Sequence, residues 1–202
     1  MKKQLGELER RQAEITSDHV IQVKEVFSKI TDGFFSDKHR IIIIVDYPFM
    51  NFQKEIVNRT QKQISFTKEE AMNFITSAIH GYASIERAGF KTDKVRLRNI
   101  FFGIKNKEPV IKVAETNLIA PQSNYESMIN KGPFAAHNKD IYLSPEEFAA
   151  WSQDDEDYRP HKKSGVFSLG MSFLDICIMD PSRQSYAYSE KRIDSAEIKH
   201  RV

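Results

Sequence analysis

Five consecutive β-branched residues, Ile41-Ile42-Ile43-Ile44-Val45, stand near the start of this 202-residue chain and stop at Asp46-Tyr47-Pro48. Branching at Cβ stiffens χ1 and favours extended backbone. An apolar run without alternation predicts a strand buried on both faces, and the proline blocks further ladder pairing. Ahead of it, Val20-Ile21-Gln22-Val23-Lys24-Glu25-Val26-Phe27 is partly alternating and predicts a second strand. Such strands need helices or further strands to cover them.

A helical region follows. Thr67-Lys68-Glu69-Glu70 has the form of an N-cap with its box, and Ala71, Phe74, Ile75, Ala78, Ile79 and Tyr82 recur at helical spacing. The helix is predicted to end near Gly89. Ile100 to Ile104 and Val110 to Val113 read as a hairpin across Lys105-Asn106-Lys107-Glu108. A charged helix is expected over Leu5 to Ile15, a short helix over Pro145 to Trp151, and a strongly apolar helix, the expected buried centre, over Val166 to Met179. Residues 118–143, with Pro121, Gly132 and Pro133, predict a long loop, and Asp154 to Asp157 an acidic one. The class is α+β.

Composition narrows the function classes. Hydrophobic residues make up 40% and charged residues 29%, so the chain can build a core. Net charge is +2 with the signs interspersed, which gives no basic stripe for nucleic acid. No apolar run approaches the roughly 20 residues of a membrane helix, so no membrane insertion is expected. The first residues carry charge and no apolar signal core, which argues against secretion. Cys177 can form no intrachain disulfide, and its apolar neighbours predict a buried thiol in a reducing compartment. The six histidines, 19, 39, 80, 137, 161 and 200, show no metal-ligand spacing. Trp151 is expected in the core.

Four stretches carry the remaining information: Lys91-Thr92-Asp93-Lys94-Val95-Arg96-Leu97-Arg98-Asn99, Ile111-Lys112-Val113-Ala114-Glu115-Thr116-Asn117-Leu118, Tyr142-Leu143-Ser144-Pro145-Glu146 and Ser164-Gly165-Val166-Phe167-Ser168-Leu169-Gly170. In that order they resemble the catalytic loop, the Asp-Phe-Gly segment, the Ala-Pro-Glu motif and the start of the central helix of a eukaryotic protein kinase. The likeness extends over roughly residues 7–180 and implies a kinase-like fold. It makes residues 1–48 a partial upper lobe, with a regulatory-type helix and two strands to the hinge. Residues 49–202 become an incomplete helical lower lobe. Neither a glycine-rich phosphate loop nor the Val-Ala-Ile-Lys strand has a counterpart.

The resemblance also implies that the chemistry is replaced. A kinase places its base Asp five residues before the metal-binding Asn. Here Lys94 stands five before Asn99, and a cation cannot accept the substrate proton. A one-residue insertion would put Asp93 there instead. Arg96 stands where kinases carry a phosphate-contacting lysine, but a solvated surface arginine is the simpler reading. Asn99 matches the second metal ligand, or bonds within its own loop. Glu115 replaces the metal-binding Asp and leaves weak ATP and magnesium binding open, although the longer arm is a handicap for octahedral geometry. Thr116 and Asn117 replace the Phe and Gly. Thr116 and Thr92 thus put two hydroxyls where an apolar contact belongs, and both need partners. Gly165 replaces the Asp that holds the catalytic loop. Glu146 ends the Ser-Pro-Glu motif, and the arginine it would pair with is missing, so it is expected to be solvated. Glu7 or Glu9 could match the regulatory-helix Glu, but an ordinary solvated face is the simpler reading. Ser123, Tyr125 and Ser127 lie where kinases take activating phosphates and are read as loop residues.

Three readings compete. The first is a catalytically inactive, pseudokinase-type domain, with no resident cofactor, serving as a structural or protein-binding module in a larger cytoplasmic or cytoskeletal assembly. The second is an atypical metal-dependent nucleotide enzyme using Asp93 or Glu115. The third is an unrelated α/β domain. The kinase-like fold requires the strand at 41–45 to lead into a hinge and residues 166–179 to be the most buried helix.

Overall fold

The computed structural model describes residues 13–31, 38–46, 50–90, 92, 95–105, 108–114, 142–153, 163–179, 186–187 and 192–201. The charged helix expected at 5–15 lies outside them up to residue 12, as do the loop expected at 118–143 up to residue 141 and the acidic loop at Asp154 to Asp157. In chain order come β1 (Val23–Thr31), β2 (Lys38–Val45), β3 (Met50–Asn51), α1 (Phe52–Lys62), α2 (Lys68–Arg87), a 3-10 turn (Leu97–Asn99), β4 (Ile100–Lys105), β5 (Glu108–Val113), α3 (Pro145–Ser152), α4 (Ser164–Ile178), β6 (Tyr186–Ala187), β7 (Arg192–Ile193) and α5 (Ser195–Arg201). The class is α+β, with small antiparallel sheets and helices. Among the described residues no helix is long and apolar enough to cross a membrane.

β1 and β2 pair antiparallel, with Phe27 opposite Ile42 and Glu25 opposite Ile44. β3, β4 and β5 form a second sheet, in which β4 and β5 are the expected hairpin. The segment before β1 is stitched to β5: the Ile21 N–H donates to the Val113 carbonyl at 2.9 Å and the Val113 N–H to the His19 carbonyl at 2.8 Å. Double-sided burial of the isoleucine run does not hold. Ile42 and Ile44 are 46% and 44% exposed, because β2 has a single neighbour strand among the described residues and nothing described covers that face.

α2 starts where its chemistry dictates. Thr67 accepts the Glu70 N–H at 3.1 Å, and Glu70 accepts the Thr67 N–H at 2.8 Å, a complete capping box. The helix ends at Arg87, and Gly89 takes up φ +83°, a conformation that costs glycine nothing. Ala71, Phe74, Ala78 and Tyr82 are buried as their spacing predicts, joined by Ile85, whereas Ile79 is 51% exposed. α1, which no sequence signal singled out, is capped by Asn51, whose side chain accepts the Lys54 N–H at 3.0 Å. Only Phe52 and Ile56 of α1 are buried, so its amphipathic pattern is thin.

Arg59 locks α1 to α2. It donates to Glu55 at 2.7 Å and grips both carboxylate oxygens of Glu70, at 2.7 and 2.9 Å, while lying 4.1 Å above the Phe66 ring. The Arg59 hydrogen bond holds the Glu70 carboxyl below the usual carboxylate range, against the desolvation that raises it, and the Thr67 N–H adds to the lowering. A depressed carboxyl contributes stability above its unfolded pKa of about 4.3, and that contribution is lost as pH falls through the folded value. Glu70→Ala is expected to cost about 1 kcal/mol at neutral pH, since it removes both the cap and the fork. In urea melts the gap to the unmodified chain should narrow as pH drops from about 5 towards about 3. A gap constant with pH would mean that packing, not the carboxylate, is responsible.

The main core gathers Phe74, Ala78, Tyr82 and Ile85 of α2, Phe52 and Ile56 of α1, and Ile100, Ile111 and Val113 of the hairpin, with Leu169 and Ile176 from α4. A smaller cluster joins Tyr142, Phe148 and Met171. α4 has eight buried residues among 15 and α2 seven among 20. Yet α4 is not the apolar centre its composition suggested. Ser164, Ser168, Ser172 and Asp175 recur at helical spacing on its buried face. Cys177 is exposed, not buried, because that phase points it away from the core, on the same side of the helix as Val166, itself 69% exposed. Local desolvation still raises its thiol pKa. The Trp151 side chain lies outside the description.

Candidate functional site

Between α2 and β4 the chain passes through Val95, Arg96, Leu97 and Asn99, all buried. The Asn99 N–H donates to the Arg96 carbonyl at 2.9 Å and closes the 3-10 turn. The Asn99 carbonyl accepts the Ala114 N–H at 2.8 Å. That bond fixes the end of β5 against the turn. Arg96 is not a surface arginine: it is 8% exposed, because the turn folds it inward towards Tyr82 of α2. Burial pushes the Tyr82 phenol up, and Arg96 pulls weakly the other way.

Thr92 is held from two sides. Its hydroxyl donates to Glu86 Oε1 at 2.7 Å, which supplies the partner a hydroxyl there requires. Its carbonyl lies against the start of α4. A Cβ on Gly165 would fall 2.0 Å from the Thr92 carbonyl oxygen and 3.0 Å from its carbon. No side chain fits at 165 while α4 keeps this seat. Lys94 and the alternative base Asp93, with Glu115, Thr116 and Asn117, lie outside the described residues.

The segment before α3 docks on the polar face of α4. The Ser144 N–H donates to Glu147 at 2.8 Å and the Glu147 N–H to the Ser144 hydroxyl at 3.3 Å, a second reciprocal cap. The Tyr142 hydroxyl donates to Asp175, and the Ser168 hydroxyl to the Tyr142 carbonyl at 2.6 Å. Ser144 and Ser164 meet through their hydroxyls at 3.3 Å. Glu146 is exposed and accepts from Ser164 at 3.4 Å, whereas Glu147 is the carboxylate buried here, 2% exposed. The Ser-x-x-Glu spacing was the signal that could have found Glu147.

Two further features lie elsewhere. Asp46, at the exit of β2, accepts the Gln22 N–H at 2.6 Å and pairs with Lys112 of β5, joining both sheets. A cavity of 240 Å³ lies between Phe52, Phe66, Phe102, Pro109 and Ile111, rimmed by Arg59, Glu69, Glu70 and Asn73, and includes none of the residues at 92–99 or 165. Among the described residues no three His, Cys, Asp or Glu side chains gather to hold a metal ion.

No family model matches the sequence, and no curated protein matches it. Solved structures do. The kinase domain of Mycobacterium tuberculosis PknI, as a double mutant, aligns with TM-score 0.58 and 11% identity over 90% of this chain and 57% of that one. Its single mutant and the unmutated domain each align with TM-score 0.57 and 11% identity, over 90% of this chain and 58% of theirs. The chain has a protein-kinase-like fold. It spans less than two thirds of the length of those kinase domains, and at this identity the likeness is one of fold alone. Within the kinase-like fold, Ala114 at the end of β5 bonds to Asn99, Thr92 lies against Gly165 at the start of α4, and Ser144 meets Ser164.

Proposed function

We propose that this chain is a catalytically inactive kinase-like domain that works as a protein-binding or structural module. The contact of Gly165 with Thr92 carries the reading. In the kinases that the motifs resemble, an Asp at this position holds the catalytic loop by hydrogen bonds. Here the carbonyl of Thr92 occupies the space into which any side chain would extend. Lys94 in the base position supports the same conclusion, since phosphoryl transfer depends on positioning and charge. Such a domain acts through its surface, within a larger cytoplasmic or cytoskeletal assembly.

Thermal unfolding with millimolar ATP and magnesium tests the proposal. The expected result is a melting temperature unchanged within about 1 °C, since a ligand that does not bind the native state adds no stability. A clear magnesium-dependent rise would refute the inactive reading. It would favour the second one, an atypical nucleotide enzyme using Asp93 or Glu115. The observation on that side is the bond from the Ala114 N–H to the Asn99 carbonyl, which holds the end of β5 to the turn.

A further inference from the structure

β2 is hydrogen-bonded to β1 along one edge, and among the described residues its other edge carries no strand. A two-stranded ribbon is marginal by itself, and a long apolar edge is a template for another strand. On one face of this ribbon Phe27, Ile42 and Ile44 are all more than two fifths exposed. The sequence along the open edge names its own complement. Arg40 precedes the five aliphatic residues and Asp46 follows them. Run antiparallel to itself about Ile43, the segment sets Ile42 against Ile44, Ile41 against Val45, and position 40 against position 46. A cation then meets an anion at both ends. Shifting the centre to Ile42 sets Asp46 against Lys38 but puts Arg40 against Ile44 and His39 against Val45, so the five aliphatic residues no longer face one another. Asp46 keeps a quarter of its side chain open beside Lys112, and a carboxylate has lone pairs for more than one donor.

We infer that the chain forms a two-fold dimer in which β2 pairs antiparallel with β2 of a second copy, centred on Ile43. The product is a four-stranded sheet in the order β1-β2-β2-β1. The same patch serves both copies, as a two-fold interface requires. The inference is independent of whether the domain is catalytic.

Sedimentation velocity of the 202-residue chain across a wide concentration range decides it. Reversible dimerisation is expected. Replacing Ile42 and Ile44 together by lysine should raise the dissociation constant at least about 100-fold, because charge blunts an edge, while the already exposed positions leave the monomer folded by circular dichroism. The register has its own readout. With Cys177→Ser as background, Ile43→Cys should cross-link two copies under mild oxidation and Ile41→Cys should not, since only residue 43 faces itself within disulfide reach. A monomer at every concentration overturns the proposal and assigns the edge to a strand from elsewhere. A dimer that survives both lysines, or cross-links through 41 and not 43, overturns it as well. If the lysine variant does not fold, the concentration series on the unmodified chain and the cross-link still decide.

Discussion

Gly165→Ala destabilises the chain by about 3 kcal/mol, and Gly165→Asp by at least as much. Helix propensity alone points the other way, since alanine is favoured over glycine inside a helix by up to about 1 kcal/mol. The clash decides the sign. A new Cβ would stand 2.0 Å from the Thr92 carbonyl oxygen, and the obstacle is backbone, not a flexible side-chain tip. Relief requires α4 to move more than an ångström away from the loop. Thr92 cannot yield easily in exchange, because its hydroxyl is tied to Glu86 at the end of α2. For a chain of this length the melting temperature should fall by roughly 6–12 °C. An unchanged or raised melting temperature for Gly165→Ala would show that α4 is not seated on Thr92. The aspartate variant carries a second question, because it puts back the residue type that kinases hold there. It should gain no ATP hydrolysis and no nucleotide-dependent stabilisation. If it gains either, the inactive reading fails.

Phe74→Ala is expected to cost about 3–5 kcal/mol, a large part of the stability of an ordinary domain. Phe74 is completely buried and meets the edge of Phe52 with ring centroids 4.5 Å apart. Phe52 in turn contacts Phe66 and Phe102 at 6.0 and 6.1 Å, so one ring on α2 supports α1 and β4 together. Removing it leaves a cavity at the junction of three elements, each held by its own backbone bonds and therefore slow to collapse into the space. Urea unfolding should show a lower midpoint with an unchanged slope. Ile79→Ala is the control: on the same helix but half exposed, it should change stability by no more than about 0.5 kcal/mol. Equal losses at both positions would mean that the phase of α2 is misassigned.

Those two positions also mark how far the sequence could be read. Phe74 and Ile79 both fit a helical apolar pattern, yet only one faces the core. A stripe of apolar residues wider than the buried face does not say where that face ends. The same ambiguity misplaced Cys177. Arg96 could not be recognised as buried, because Tyr82, towards which it folds, belongs to another stretch of chain. Glu147 was legible in its Ser-x-x-Glu spacing, but Glu146, as the motif residue, drew attention from it. α1 left almost no trace because two buried residues make too thin a stripe.

What the sequence determined by itself is local. The Thr67 box, the Gly89 stop, the β4–β5 hairpin and the order of the four motifs depend on hydrogen bonds and steric limits spanning a few residues, and such constraints are written in neighbouring letters. The tertiary structure alone decided which faces are covered. It placed three serines and an aspartate on the buried side of α4 beside Leu169, Met171 and Ile176, and it left two isoleucines of β2 exposed. It also pressed Gly165 against the carbonyl of Thr92. Burial and close approach depend on the opposing element, and no stretch of chain carries that information about its own future neighbour.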